Sequence, residues 1–331
     1  QDPDPEAPTA PAPPPAPETP PAPPPRPADP PPRSDGPPSG ESILGSWDDD
    51  MLLSGPGDDY LNGSLGQDTA VYSGDRAHFT VTLSPSGIEV RDRRGDGDGT
   101  DQIIGIETLD FLDQEWPIST FDGVVSLGEE AFRDFVGVYI AYFNRAPDAE
   151  GLFFYGTAFA NGTSLEEAAA TFLSSPEYKS AYPEGLSNRQ FAETVYGNVL
   201  GRLPDKDGLD FWVDVLDSGA RSRDVFLVDV LEGAEAGPPA GASQAFKDQM
   251  AADVAYLEAK TDLGIYYAVT KGMSDVADAT AAMQLYDGSA PSVTAARDVI
   301  DAAYAEALDP ESGEFLLHLV GVVDDPFAAI V

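Results

Sequence analysis

The rhythm of hydrophobic and polar positions changes twice along the chain. Up to about residue 40 there is only proline punctuation, in runs such as PAPPPAPETPPAPPPRPADPPPR that hold more than half of the 31 prolines. Proline fixes φ and withholds its amide hydrogen, so residues 1–41 read as a disordered, polyproline-type spacer reaching about 120 Å at most. From 42 to 122 the period is that of a strand. AHFTVTL and GIEVRD alternate across the turn Ser84-Pro85-Ser86-Gly87, which predicts a hairpin, and a third strand is expected over Ile103 to Phe111 after the loop Gly95 to Gly99. From about 126 the period becomes helical.

Start signals punctuate the helical half. Ser164 with Glu167 and Ser187 with Gln190 form capping boxes, and Ser175-Pro176 places proline at a first helical position. Further helices are expected at about 242–258, 262–271, 274–286 and 292–307, the last two capped by Ser274 and Ser292. One unit occurs twice: Arg145-Ala146-Pro147-Asp148-Ala149-Glu150-Gly151-Leu152-Phe153-Phe154-Tyr155 and Arg202-Leu203-Pro204-Asp205-Lys206-Asp207-Gly208-Leu209-Asp210-Phe211-Trp212. In each copy the proline should stop one helix, Asp148 or Asp205 should cap the next, and Gly151 or Gly208 should permit close helix approach. Tyr139, Tyr142, Phe154, Tyr155, Phe211 and Trp212 then read as core at helical spacing rather than as platforms for sugar rings. Arg145 and Arg202 read as partners of helix-end carbonyls or nearby acids.

The fold class that follows is α+β and multidomain. A proline-rich linker over 1–41 precedes a short parallel β-roll with a hairpin cap over 42–122. An all-α repeat domain over 123–240 and a C-terminal helical region over 241–331 complete it.

Before the hairpin, Gly45 to Val71 divides into nines: GSWDDDMLL, SGPGDDYLN and GSLGQDTAV. Aspartate returns at Asp50, Asp59 and Asp68, each followed two residues later by Leu52, Leu61 or Ala70. A solvated acidic loop has no reason to keep phase. Six residues can turn and three can extend, with the apolar eighth position inward and carbonyls laid beside a carboxylate. Crowded oxygen ligands on a flexible turn suit Ca²⁺ better than Mg²⁺, which demands strict octahedral geometry.

The nonapeptides resemble the GGxGxDxUx repeats of bacterial RTX proteins, which stack as a parallel β-roll. The match holds at Gly55, Gly57, Asp59 and Leu61 and at Gly63, Gly66, Asp68 and Ala70, while Asp48 replaces a turn glycine in the first repeat. The resemblance implies calcium ligation at Asp50, Asp59 and Asp68, with Gly55, Gly57, Gly63 and Gly66 shaping the turns. Repeats 18 residues apart share an edge, so Asp50 and Asp68 should face one ion while Asp59 lacks a stacked partner. A glycine-rich acidic loop without an ion is the alternative. Asp96-Gly97-Asp98-Gly99-Thr100-Asp101 with Glu107 has EF-hand-like spacing, but Asp101 stands where that loop needs glycine and the flanks read as strands, which favours a turn closing the roll.

The duplicated R-x-P-D-x-x-G-L-x-[FY]-[FYW] unit resembles a helical domain of unknown function, number 4214, found in bacterial RTX and surface-layer proteins. Coverage runs from about Phe132 to Glu235. This resemblance implies anchoring to cell-surface polysaccharide or surface-layer components. The acidic-then-apolar end, Asp324 to Val331, looks like an uncleaved type I secretion signal.

Charge sharpens the picture. Against 58 Asp and Glu stand 18 Lys and Arg, a formal net charge of −40. Such a field repels nucleic acid phosphates and anionic lipid and collects cations. No apolar run approaches the length of a membrane span, so no membrane insertion is expected. Cysteine is absent and the two histidines, His78 and His318, lie in apolar or strand-like contexts. No Gly-rich phosphate loop and no Ser/His/Asp arrangement is visible, which argues against an enzyme.

The sequence therefore reads as a secreted or cell-surface calcium-binding, non-catalytic protein with an anchoring or adhesion role, extracellular or on the bacterial cell surface. The alternative is the export and stability tail of a larger type I secreted enzyme.

Overall fold

The computed structural model describes residues 40–328, except the side chains at 165, 166, 168, 169, 174 and 235. The proline-rich spacer up to residue 39, and the last three residues of the expected secretion signal, lie outside the described residues.

Four short strands recur every nine residues: β1 (Ser42–Leu44), β2 (Met51–Leu53), β3 (Tyr60–Asn62) and β4 (Thr69–Val71). The first two pair in parallel with the strands 18 positions on, Ser42 with Tyr60 and Met51 with Thr69. The chain thus winds as a coil between two sheets. A hairpin, β5 (Phe79–Ser84) and β6 (Gly87–Asp92), interrupts the winding, and β7 (Thr100–Ile104) and β8 (Thr108–Asp110) then add another coil beside β3 and β4. The single strand expected over Ile103 to Phe111 is therefore two. The chain must cross from one sheet to the other, and Gly105, at φ +62°, makes the corner. Leu52, Leu61, Ala70, Ile103 and Leu109, each in its strand's inward position, line the interior.

The four-stranded sheet, ordered β2-β4-β8-β9, ends on β9 (Glu115–Trp116). The other sheet has six strands in the order β1-β3-β7-β6-β5-β10. Its last member, β10 (Leu316–Leu319), comes from the C-terminal region, where the sequence pattern predicts helix. Leu316, Leu317 and Leu319 are buried there as β10 runs parallel to β5.

Helices α1 (Glu129–Phe143), α2 (Ala149–Ala160), α3 (Leu165–Ser174), α4 (Pro176–Ala181), α5 (Asn188–Leu200), α6 (Lys206–Asp217) and α7 (Arg223–Glu235) follow the sheets. Ser164 and Ser187 make both bonds of their capping boxes, and Ser175 caps α4 with Pro176 in the first turn. Then come α8 (Gln244–Ile265), α9 (Val276–Gln284) and α10 (Ala290–Ala307). The expected helix at 262–271 is no separate element, because α8 runs on into a π-turn at Tyr266–Thr270. Asp275 caps α9 in place of Ser274, since its carboxylate reaches the amides of Ala277 and Asp278. Ser289 caps α10 in place of Ser292, which leaves Pro291 in the first turn, where its missing amide costs nothing.

The duplicated corners have the geometry their sequence implies. Asp148 and Asp205 accept from the amides of Gly151 and Gly208 as N-caps of α2 and α6. Arg145 donates to Glu177, Asp148 and the Ala146 carbonyl, and Arg202 to Asp253 and the Leu203 carbonyl. Between the corners lies Lys260 of α8, whose ammonium donates to Asn144 Oδ1 at 3.0 Å and the Asn198 carbonyl at 2.5 Å. Burial lowers its pKa to about 8, which still leaves it charged at neutral pH. Tyr139 and Tyr142 are core, and Tyr155 and Trp212 are half-buried. Phe154 and Phe211 are instead exposed, at 47% and 59%. A helix turns by roughly 100° per residue, so Phe154 leaves the face on which Leu152 and Phe153 are buried.

Roll and helices share a continuous apolar core. At their junction the Arg76 guanidinium lies 4.0 Å from the Phe315 ring centroid, pairs with Glu150 of α2 and reaches over Trp116. Trp116 also donates to Glu150 at 3.1 Å and packs edge-on against Phe315. Replacing Phe315 by alanine removes this keystone just before β10. Urea unfolding followed by tryptophan emission is expected to show a loss of about 3 kcal/mol or more, as for other buried phenylalanines.

Candidate functional site

Two columns of acidic turns run along the edges of the roll. One edge carries residues 45–50, 63–68 and 105–107; the other carries 40–41, 54–59 and 98–101. Three-residue strands pair few backbone amides, so the last amide of each turn needs another acceptor. Carboxylates supply it. On the first edge the Asp50 amide donates to Asp68 Oδ1 and the Asp68 amide to Glu107 Oε2, both at 2.8 Å. On the second edge the Glu41 amide donates to Asp59 Oδ1 at 2.7 Å and the Asp59 amide to Asp101 Oδ1 at 2.8 Å.

The doubled aspartates have separate tasks. Asp50, Asp59 and Asp68 follow Asp49, Asp58 and Gln67, and the first acids of these pairs bond in the other direction. The Gln67 amide donates to Asp49 Oδ1 at 2.8 Å and the Thr100 amide to Asp58 Oδ1 at 2.9 Å. Neighbouring coils are thereby stitched from both sides, and charge-assisted bonds of this kind are stronger than neutral ones.

Asp59 is therefore not without a stacked partner, as sequence spacing suggests. Asp101 stands one coil beyond it, delayed by the hairpin. The EF-hand-like run from Asp96 to Glu107 is likewise no single loop: Asp101 serves one edge and Glu107 the other. A signal for both is present in the sequence. Asp101-Gln102-Ile103 and Glu107-Thr108-Leu109 repeat the spacing of Asp50-Met51-Leu52, an acid two positions before a buried apolar residue.

The glycines shape the turns. Gly55, Gly57 and Gly66 have φ of +102°, +125° and +132°, which side chains rarely adopt, and a methyl group at Gly63 would collide with the Gly105 carbonyl and the Asp68 carboxylate. Asp48, in the place of Gly57 and Gly66, does not adopt positive φ. The first turn instead closes through Asp50, whose Oδ2 accepts from the Ser46 amide at 2.5 Å and the Ser46 hydroxyl at 2.9 Å. These bonds hold the Asp50 pKa below the usual carboxylate value.

Behind the second edge the acids go deep. Asp101 is fully buried and accepts from the Ser54 hydroxyl at 2.7 Å. Burial, with the charges of Asp59 and Asp98 behind it, pushes its pKa up to about 7. Burial also raises Asp98, although the Ser73 amide and hydroxyl donate to it. Burial opposes the Asp92 carboxylate too, but hydrogen bonds from Arg94 and from the amides of Asp98 and Arg94 outweigh it and lower the pKa.

The turns fit a hard cation on one specific observation. Asp68 is 1% exposed, and its Oδ2 has no hydrogen-bond donor among the described residues. A buried carboxylate oxygen without a donor is costly unless positive charge faces it. No three or more His, Asp or Glu side chains converge into a metal-binding group among the described residues, so an ion at these turns must draw on backbone carbonyls as well. That donor set, all oxygen and largely main-chain, is one Ca²⁺ accepts. The histidines stand apart: His78 lies in a 3-10 turn, and His318 is half-buried in β10, where desolvation of its ring lowers its pKa to about 4.

The raised Asp101 pKa sets a pH dependence. The folded protein holds this proton up to about pH 7, whereas an unfolded aspartate releases it near 3.8, so the unfavourable buried charge is absent at pH 5 and present above 7. Asp50 and Asp92, with lowered values, contribute the opposite slope only below their unfolded pKa. In chelator the gain in melting temperature of Asp101→Asn over the unmutated chain is expected to be larger at pH 8 than at pH 5, a comparison in which the opposing contribution of His318, lost as pH falls below 6.5, cancels.

Comparison with known proteins bears on the helical half. The family model described as "Domain of unknown function (DUF4214)" matches residues 169–237, from within α3 to just beyond α7. The match includes the second duplicated corner and leaves the first outside it. No curated protein and no solved structure matches the chain.

Proposed function

We propose that the chain is an RTX-type calcium-binding protein, secreted or displayed on a bacterial cell, whose roll is completed by the ion and whose role is to anchor or adhere at the envelope. The observation that carries this reading is the Asp68 carboxylate, sealed from water in a turn whose neighbours are also acids, with one oxygen lacking any donor among the described residues. Asp50 and Asp68 on one edge, and Asp59 with Asp101 on the other, would hold calcium; the ion's part is to neutralise the stacked carboxylates. Because the ligating turns exist only in the folded coil, binding energy becomes folding energy. Low calcium inside a cell and high calcium outside would then delay folding until export.

The anchoring partner suggested is a surface glycan. Beside the second corner lies a cavity of about 410 Å³ whose lining includes the rings of Tyr256 and Tyr286 and the polar groups of Arg202, Gln249, Asp253 and Ser289. A lining that mixes apolar and hydrogen-bonding side chains suits a small polar ligand such as a sugar.

Calcium titration followed by circular dichroism and calorimetry tests the central claim. Saturation at about 100-fold above the dissociation constant should add about 2.7 kcal/mol per site. Asp68→Ala should abolish most of the gain, and Asp59→Ala should remove a separate part if the second edge also binds. Absence of any change at millimolar calcium would sink the reading.

A further inference from the structure

His318, which the acidic turns leave aside, sits where the last strand is fastened. β10 runs beside β5 with Leu317 and Leu319 turned into the core next to Val81 and Leu83, so His318, in register with Thr82, points to the outer face of the sheet. There its Nε2 is sealed from water and has no hydrogen-bond partner among the described residues. The turn that follows α8 closes one side: the Leu317 amide donates to the Gly272 carbonyl at 2.9 Å, and a methyl group on Gly272, at φ +64°, would lie 2.6 Å from the imidazole ring. The Tyr304 ring of α10 is centred 6.1 Å from the imidazole and carries the Lys271 ammonium at 4.5 Å. Beyond β10, Phe327 packs edge-on against Tyr266 at 5.2 Å, with the Arg297 guanidinium 4.4 Å from its ring centre.

Charge around this ring is one-sided. Lys271 and Arg93, which fastens β10 through the Glu314 carbonyl, both oppose an imidazolium. The carboxylates of the neighbouring elements are engaged elsewhere. Asp301 of α10 pairs with Lys271 and accepts from the Tyr266 hydroxyl, Glu150 of α2 pairs with Arg76, and the Glu314 carboxylate lies near Asp275 and Asp278. Glu89, two strands away on the same face beside Arg91, accepts from Gln102, and β5 has no ionisable side chain. We propose that the segment from Phe315 to Ala328 is an acid-released latch: a proton on His318 detaches β10 from β5 and frees the chain beyond it. Released, the ring gains water and leaves both cations; held, it can do neither, because Gly272 closes one side and the sheet another. Desolvation, with Lys271 and Arg93 behind it, lowers the folded His318 pKa to about 4, against 6.5 for an ordinary imidazole. The docked segment therefore binds the proton more weakly than the free one, so its stability is complete above pH 6.5 and is lost as pH falls toward 4. At pH 5 these two values weaken the latch about thirtyfold. Detachment leaves the edge of β5, Phe79–Ser84, open to another strand. The latch needs no ion at the acidic turns.

Hydrogen exchange of the full chain, read by mass spectrometry at pH 7 and pH 5 and corrected for the intrinsic pH dependence of exchange, tests this. Peptides covering Phe315 to Ala328 and β5 are expected to lose protection about thirtyfold at pH 5, while α5 and α6 keep theirs. Asp101 changes stability in the opposite direction over this range, so it cannot mimic the loss. His318→Gln should remove the loss, and Lys271→Gln, which leaves Asp301 available to an imidazolium, should reduce it; circular dichroism at pH 7 checks that both variants fold. Equal protection of the segment at the two pH values, a loss spread evenly over the whole chain, or a loss that persists in His318→Gln overturns the inference. The unmutated chain alone decides the first two outcomes, so a variant that failed to fold would not shield the proposal.

Discussion

The roll depends on one interaction, the bond from a backbone amide to an aspartate or glutamate in the adjacent coil. Strands of three residues contribute few ladder bonds, and each offers one inward side chain, so neither pairing nor core is generous. What locks the coils in register is the column of acids. Asp68 and Glu107 hold one edge, Asp59 and Asp101 the other, and Asp49 and Asp58 bond back from the opposite side. The same device sets the cost. Each added coil brings more negative charge into line, and the deepest member, Asp101, prefers a proton near neutrality. A scaffold stitched by carboxylates thus creates its own demand for cations.

The second constraint is that the roll does not close on itself. Its larger sheet ends on β10, and Arg93 fastens that strand by donating to the Phe79 and Glu314 carbonyls. Arg76, Trp116 and Phe315 then join the sheets to α2 through Glu150. Stability gained at the acidic turns is therefore shared with the helical half, in the way that a metal bound to one part of a cooperative unit stabilises the whole.

Local signals carried much of this. The nine-residue phase gave the coil because its period is set by chemistry within each turn, and the capping boxes and Pro-Asp corners gave helix boundaries for the same reason. The failures with the largest consequence for the sheets are non-local. Nothing near Leu316 says that it pairs with Thr80, so the apolar run around it looks like part of a helical region. Asp101 and Glu107 escaped because the inserted hairpin breaks the phase, although each keeps its place two residues before a buried apolar side chain. Phe154 and Phe211 were misplaced by a coarser error, since an aromatic motif marks a helix but not which side of it faces the core. The acidic turns were legible as residues; the division of labour between adjacent aspartates required coordinates.

The position of β10 also governs how the molecule is made. Leu316 meets Thr80, so partners 236 residues apart in sequence lie side by side in one sheet. On the ribosome one edge of β5 stays unpaired until the residues of β10 have been synthesised. Contacts so distant in sequence slow folding, because the loop entropy is lost before the pairing repays it. During that interval an open strand edge invites pairing between chains. The net charge of −40 then has a use that precedes any ligand: it keeps nascent copies apart while the sheet is incomplete.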